Sequence, residues 1–85
     1  MISLRQMEKI DITTRFSREG KLIPLEFILG DRTIGILNVG RQWEDKSGRH
    51  ILVMDYQEQT YHLFFDMGDL SWYLIRDLPG SRNGI

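Results

Sequence analysis

Residues 49–67, Arg49-His50-Ile51-Leu52-Val53-Met54-Asp55-Tyr56-Gln57-Glu58-Gln59-Thr60-Tyr61-His62-Leu63-Phe64-Phe65-Asp66-Met67, constrain the fold more than any other stretch. They read as two strands joined by a polar turn and apolar on both faces, the pattern of a hairpin covered on each side. With Gln57–Thr60 as the turn, Tyr56 is expected opposite Tyr61, Met54 opposite Leu63, and Leu52 opposite Phe65. That register gathers one apolar set on one face, which is what ordinarily fixes a hairpin register. It places Ile51, Val53 and Phe64 on the other face, with Asp55 directly across from His62. His50 then falls on the apolar face, opposite to His62, because side chains alternate at every residue of a strand.

The rest of the chain repeats the two-residue period. Ile10, Ile12, Thr14 and Phe16 alternate with Asp11, Thr13 and Arg15, and Ser17-Arg18-Glu19-Gly20 supplies a turn. Lys21–Leu29 follows as a second strand, and Ile12 is expected against Phe27, Thr14 against Leu25 and Phe16 against Ile23. Pro24 lacks an N–H for a ladder, so part of this strand is expected at an edge or a bulge. Gly30-Asp31 is a two-residue hairpin turn that pairs Phe27 with Ile34 and Leu25 with Ile36. The third strand runs from Thr33 toward Glu44 with a bend or bulge at Gly40, and Asp45–Arg49 is a polar loop. After the central hairpin, Gly68-Asp69 turns the chain into a last strand with Leu70, Trp72 and Leu74 inward. Residues 1–8 are expected to be a loose arm or an edge strand, and 78–85 a flexible tail.

These elements make a single all-β domain over residues 1–85, with its core at about 10–77. Six strands with short connections form an antiparallel meander, and the apolar surplus on strands four and five favours curling it into a small, partly open SH3-like barrel. A flatter sheet that dimerises is the alternative. At 85 residues only about 60–65% of the unfolded surface is hidden, so the core is modest. The chain has no cysteine, which excludes disulfides and thiolate metal sites and suits a reducing, cytoplasmic setting. No apolar run approaches the roughly 20 residues of a membrane-spanning helix, and the first residues do not resemble a signal peptide. Net charge is −1, with residues 1–49 at +2 and residues 50–77 at −4, so the hairpin half is acidic and unsuited to phosphate.

The order of landmarks resembles a group of small uncharacterised bacterial β domains. The resemblance rests on Glu19-Gly20, Ile23-Pro24-Leu25-Glu26-Phe27, Trp43-Glu44-Asp45, Gly48-Arg49-His50-Ile51-Leu52-Val53-Met54, Phe65-Asp66 and Trp72, and spans roughly residues 10–76. It implies a domain type and carries over no catalytic or binding role.

Candidate chemistry is sparse. An Asp55–His62 cross-strand pair would suit a His–carboxylate hydrogen bond, but no cysteine or well-placed serine completes a nucleophilic set, and two ligands do not make a zinc site. A joint His50/His62 metal site is not expected, since the two point to opposite faces. Neither a cofactor nor a catalytic residue is assigned. The scattered glycines form no phosphate-cradling run. The best address for binding is the loop bearing Trp43, Glu44, Asp45, Lys46 and Arg49, where an aromatic and paired charges sit between rigid strands. Arg41, Lys46 and Arg49 with Trp43, Tyr56 and Tyr61 would make a basic, aromatic-interleaved patch for nucleic acid, opposed by Glu44, Asp45, Asp55 and Glu58. The expectation is a non-enzymatic interaction module that takes a protein partner or forms a homodimer through a strand edge or the Trp43–Arg49 loop, with no membrane partner. Nucleic-acid binding is the alternative, and an enzyme using Asp55 and His62 comes third.

Overall fold

Alternating apolar and polar residues produce six strands in the order the sequence implies. A computed structural model describes residues 5–77, with side chains for 6–76. The strands are β1 (Arg5–Phe16), β2 (Leu22–Leu29), β3 (Arg32–Glu44), β4 (Gly48–Asp55), β5 (Thr60–Asp66) and β6 (Ser71–Asp77). Each pairs antiparallel with its sequence neighbours, and β1 also pairs with β6, so the meander closes into a barrel. Closure removes the sheet edges that a flat meander would leave open at β1 and β6. Residues 1–4 and the expected tail at 78–85 lie outside the described residues. Among the described residues no helix is long and apolar enough to cross a membrane.

One strand serves both halves of the barrel. The first part of β1, Arg5–Ile10, pairs with β6, and the second, Asp11–Phe16, pairs with β2. Residues 5–8 therefore belong to the strand that closes the barrel. The Gly30-Asp31 turn closes as expected between Leu29 and Arg32, with Gly30 at φ +66°. Ile12 faces Phe27 and Phe27 faces Ile34. Beyond Thr13 the β1–β2 register slips by one at a bulge opposite Leu25, next to Pro24, so Thr14 meets Pro24 and Phe16 meets Leu22. Phe16, the last residue of β1, is not an inward residue but 73% exposed. Two further bulges in β3, at Leu37 and at Gly40/Arg41, tighten its bend.

The core is built from Ile10, Phe27, Ile34, Ile51, Val53, Leu63 and Leu74, with Tyr61 and Trp72 packed against it. Ile51, Leu63 and Leu74 face one another across three strands. The Tyr61 ring meets Phe27 edge-on at 5.2 Å between centroids, a favourable aromatic geometry.

Two expectations about the second half of the chain are overturned. The β4–β5 turn comprises Tyr56–Gln59, and the pairs are Met54 with Thr60, Val53 with Tyr61, Leu52 with His62 and His50 with Phe64. Tyr56 is 70% exposed and does not face Tyr61, Met54 does not face Leu63, Leu52 does not face Phe65, and Asp55 does not face His62. The cause is the Asp55 side chain, whose Oδ1 accepts the Gln57 and Gln59 N–H groups at 2.8 and 2.9 Å. This Asx-type cap draws Tyr56 out of the strand and into the turn. Leu70 likewise is not an inward strand residue. It ends the β5–β6 turn at φ +56°, 70% exposed, with its N–H donated to the Asp66 carbonyl at 2.8 Å.

Phe27 touches both halves of the barrel and is fully buried. Phe27→Ala is expected to cost about 3–5 kcal/mol, measured by urea unfolding, a large part of the ~5–15 kcal/mol typical of a domain.

Candidate functional site

The β3–β4 loop is held by its own first residue. Asp45 Oδ1 accepts the N–H groups of Ser47 at 2.9 Å and Gly48 at 3.2 Å, and the Asp45 N–H donates to the Gly48 carbonyl at 3.0 Å. Asp45 Oδ2 lies 2.8 Å from Nε2 of His50. The hydrogen bond from His50 leads the forces that hold the Asp45 carboxyl below the usual carboxylate range, followed by the Ser47 amide. A second turn is tied to this loop, because the Met67 N–H donates to the Ser47 carbonyl at 3.2 Å. Gly48 is required at the junction, since a Cβ there would collide with the Phe65 carbonyl.

Beneath the loop an aromatic row crosses the outside of the barrel. Trp43 pairs with His50, His50 with Phe64, and Phe64 with Tyr73, across β3, β4, β5 and β6. The Trp43 and His50 rings stack at 4.9 Å with a 2° interplanar angle, and Phe64 lies 4.7 Å from His50. The Arg41 guanidinium sits 4.9 Å from the Trp43 ring centroid, a cation–π distance. His50 and Phe64 are buried although they do not belong to the barrel interior. Trp43 is half-buried and forms the outer layer of this small external core.

The two histidines share that face, which corrects the expectation that they point apart. His50 Nδ1 and His62 Nε2 are 2.8 Å apart. With Asp45 ionised, His50 directs its Nε2–H to the carboxylate and leaves Nδ1 to accept from Nε2–H of His62. The result is a chain, Asp45–His50–His62, that couples the loop to β5. Its spacing is that of a hydrogen bond between rings. Among the described residues no group of three or more His, Cys, Asp or Glu side chains is arranged to hold a metal ion.

The remaining sequence candidates separate. Glu44 pairs with Arg49 (Oε2 to Nε, 3.4 Å), and Lys46 stands exposed at the loop tip. Asp55 lies at the other end of the barrel, where both carboxylate oxygens are occupied. Oδ1 caps the turn and Oδ2 accepts the Tyr61 hydroxyl at 2.9 Å. The Gln59 amide leads the hydrogen bonds that hold Asp55 below the usual carboxylate range. The Tyr61 phenol is pushed up, first by burial and then by Asp55. Tyr56 and Tyr61 thus sit away from Trp43, and the proposed aromatic-interleaved basic patch is not assembled. Sequence reasoning expected the Gly68-Asp69 turn but did not place it beside the β3–β4 loop, because only the long-range Met67–Ser47 bond brings the two together. It also missed the union of His50 and His62, because the face they share is decided by the β4–β5 register.

Comparison with family models, curated proteins and solved structures finds no match.

Two outcomes follow from this geometry. Gly48→Ala is expected to lower stability by about 1–3 kcal/mol, read from urea midpoints, because the Phe65 strand must move to admit a methyl group. Asp45 and Asp55 both have depressed pKa values when folded, so their stabilisation is present above the unfolded carboxylate value of about 3.9 and is lost as pH falls through the folded values. Urea midpoints should therefore decline below about pH 4, and Asp55→Asn should flatten that decline while lowering the midpoint at pH 7.

Proposed function

We propose that this chain is a cytoplasmic, SH3-like interaction module that binds a protein partner, without catalysis, through the end of the barrel bearing the β3–β4 and β5–β6 turns. The observation that carries the reading is the pairing of those turns. The Asp45 bonds and the Met67–Ser47 bond pre-order both, and together they display Lys46, Met67 and Leu70. A surface ordered before binding loses little conformational entropy on association. Met67 and Leu70 are 58% and 70% exposed, and Leu70 is held in a left-handed backbone conformation that disfavours its branched side chain. An exposed, strained leucine beside a rigid cationic tip has no role in the barrel's own packing.

The competing readings receive less support. A phosphate-binding surface would gather cations without acids among them, whereas Glu44 stands against Arg49 and Arg41 lies on Trp43. A catalytic reading on Asp55 and His62 loses its premise, since the two are at different places. At the Asp45–His50 pair both ring nitrogens of His50 face partners inside the chain.

The test is capture of partners from extract of the protein's own cells, with light scattering to read self-association. Met67→Asp/Leu70→Asp should abolish the association at least tenfold while circular dichroism stays unchanged, and Lys46→Glu should weaken it. A chain that stays monomeric at millimolar concentration and captures nothing the double variant loses would overturn the proposal.

A further inference from the structure

The barrel is split along one seam. The β2–β3 ladder covers only Glu26–Leu29 against Arg32–Gly35. Upstream of Glu26, β2 stays paired with β1, and downstream of Gly35, β3 stays paired with β4. The two hairpins therefore diverge, and a groove of about 420 Å³ opens between them, lined by Gly20, Lys21, Leu22, Ile23, Val39, Gln42 and Arg49. Its walls are two strand edges facing each other, and its side chains are aliphatic with a cation at either side.

We propose that this groove takes an extended acidic peptide segment of a partner protein. The inference rests on the reading that the adjoining barrel end binds protein, and it names the chemistry of what is bound. Strand edges with unpaired partners recognise an extended main chain, while pockets beside them select alternate side chains. Leu22, Ile23 and Val39 give the groove aliphatic surface for the apolar residues of such a segment. Lys21 and Arg49 give it cations for carboxylates, and among the described residues no carboxylate lines the groove. Glu44 engages Arg49 through Nε alone, at 3.4 Å, and the guanidinium has further donors on its other nitrogens. Among the described residues no aromatic ring lines the groove, which removes the stacking platform that single-stranded nucleic acid uses. Pro24 and the two β3 bulges fit the same picture, being devices that keep an open edge from pairing indiscriminately.

The test uses a fluorescent, end-blocked decapeptide of alternating valine and glutamate, its valine–lysine counterpart, and a ten-residue oligothymidylate. Anisotropy supplies affinity and amide chemical shifts supply location. The valine–glutamate peptide should bind saturably, with shifts concentrated at Gly20–Ile23, Val39–Gln42 and Arg49. Lys21→Glu and Val39→Glu, at exposed positions, should each weaken it at least tenfold, while Gln57→Ala, in the exposed turn at the other end of the barrel, leaves it unchanged. Absence of saturable shifts, equal binding of the valine–lysine peptide, preference for the oligonucleotide, or self-association through these same residues would each overturn the proposal. If the peptide fails while association sensitive to Met67 and Leu70 persists, only the groove assignment falls. If that association is also absent, the reading of the barrel end falls with it.

Discussion

The Asp55 carboxylate decides more of this structure than any apolar contact. By accepting the Gln57 and Gln59 amides it makes Tyr56 a turn residue, and Met54 then pairs with Thr60. That choice sets which residues of β4 and β5 share a face. Even-numbered residues of the two strands fall together, as do odd-numbered ones. Ile51, Val53, Tyr61 and Leu63 turn inward, and His50, Leu52, His62 and Phe64 turn outward. With the opposite parity one strand would have to present a histidine to the interior at the level of Leu63. An imidazole without a partner there would cost on the order of 1–3 kcal/mol, so core and cap favour the same register.

Outward placement of both histidines creates the second packed unit. Trp43 stacks on His50, Phe64 closes beneath, and Asp45 ties the loop to His50 while His50 ties it to His62. Small barrels have little interior to rigidify their loops. Here an external aromatic layer does that work for one loop, and the backbone bond from Met67 to Ser47 extends it to a second. The other structural constraint is curvature. Bulges at Leu25, Leu37 and Gly40/Arg41 let β2 and β3 bend enough to close with six strands, at the cost of the ladder between them beyond Gly35.

What could be read from the sequence was local. The strand count, the Gly30-Asp31 turn, the Phe27–Ile34 and Ile12–Phe27 pairings and the barrel itself follow from period-two patterning and turn chemistry. The β4–β5 register did not, because Gln57–Thr60 is polar throughout and composition alone favoured it over a turn that enlists Tyr56. The capping tendency of aspartate was the decisive competing preference, and it shifted the register by an odd number of residues. Phe16 and Leu70 were misplaced for a related reason. Each continues an alternating pattern on paper, yet Phe16 lies at the very end of β1 and Leu70 belongs to a turn. The β1–β6 closure and the Met67–Ser47 bond join positions too far apart in sequence for either to leave a local mark.

This changes the meaning of the Trp43 loop. A tryptophan flanked by charges suggests a contact residue, and within the barrel Trp43 is a footing, stacked on His50 and covered in part by Arg41. Of the acids around it, Glu44 meets Nε of Arg49, and Asp45 is held by the His50 ring and the loop amides. What remains available at that end is what the footing supports: Lys46 at the tip, and Met67 with Leu70 on the neighbouring turn. Leucine in a left-handed turn position costs roughly 1–2 kcal/mol relative to glycine, and its side chain gains no burial within the barrel in return. Such a residue costs the fold stability that its mostly exposed side chain does not return, and the Leu70 N–H bond to the Asp66 carbonyl is what holds the turn in place.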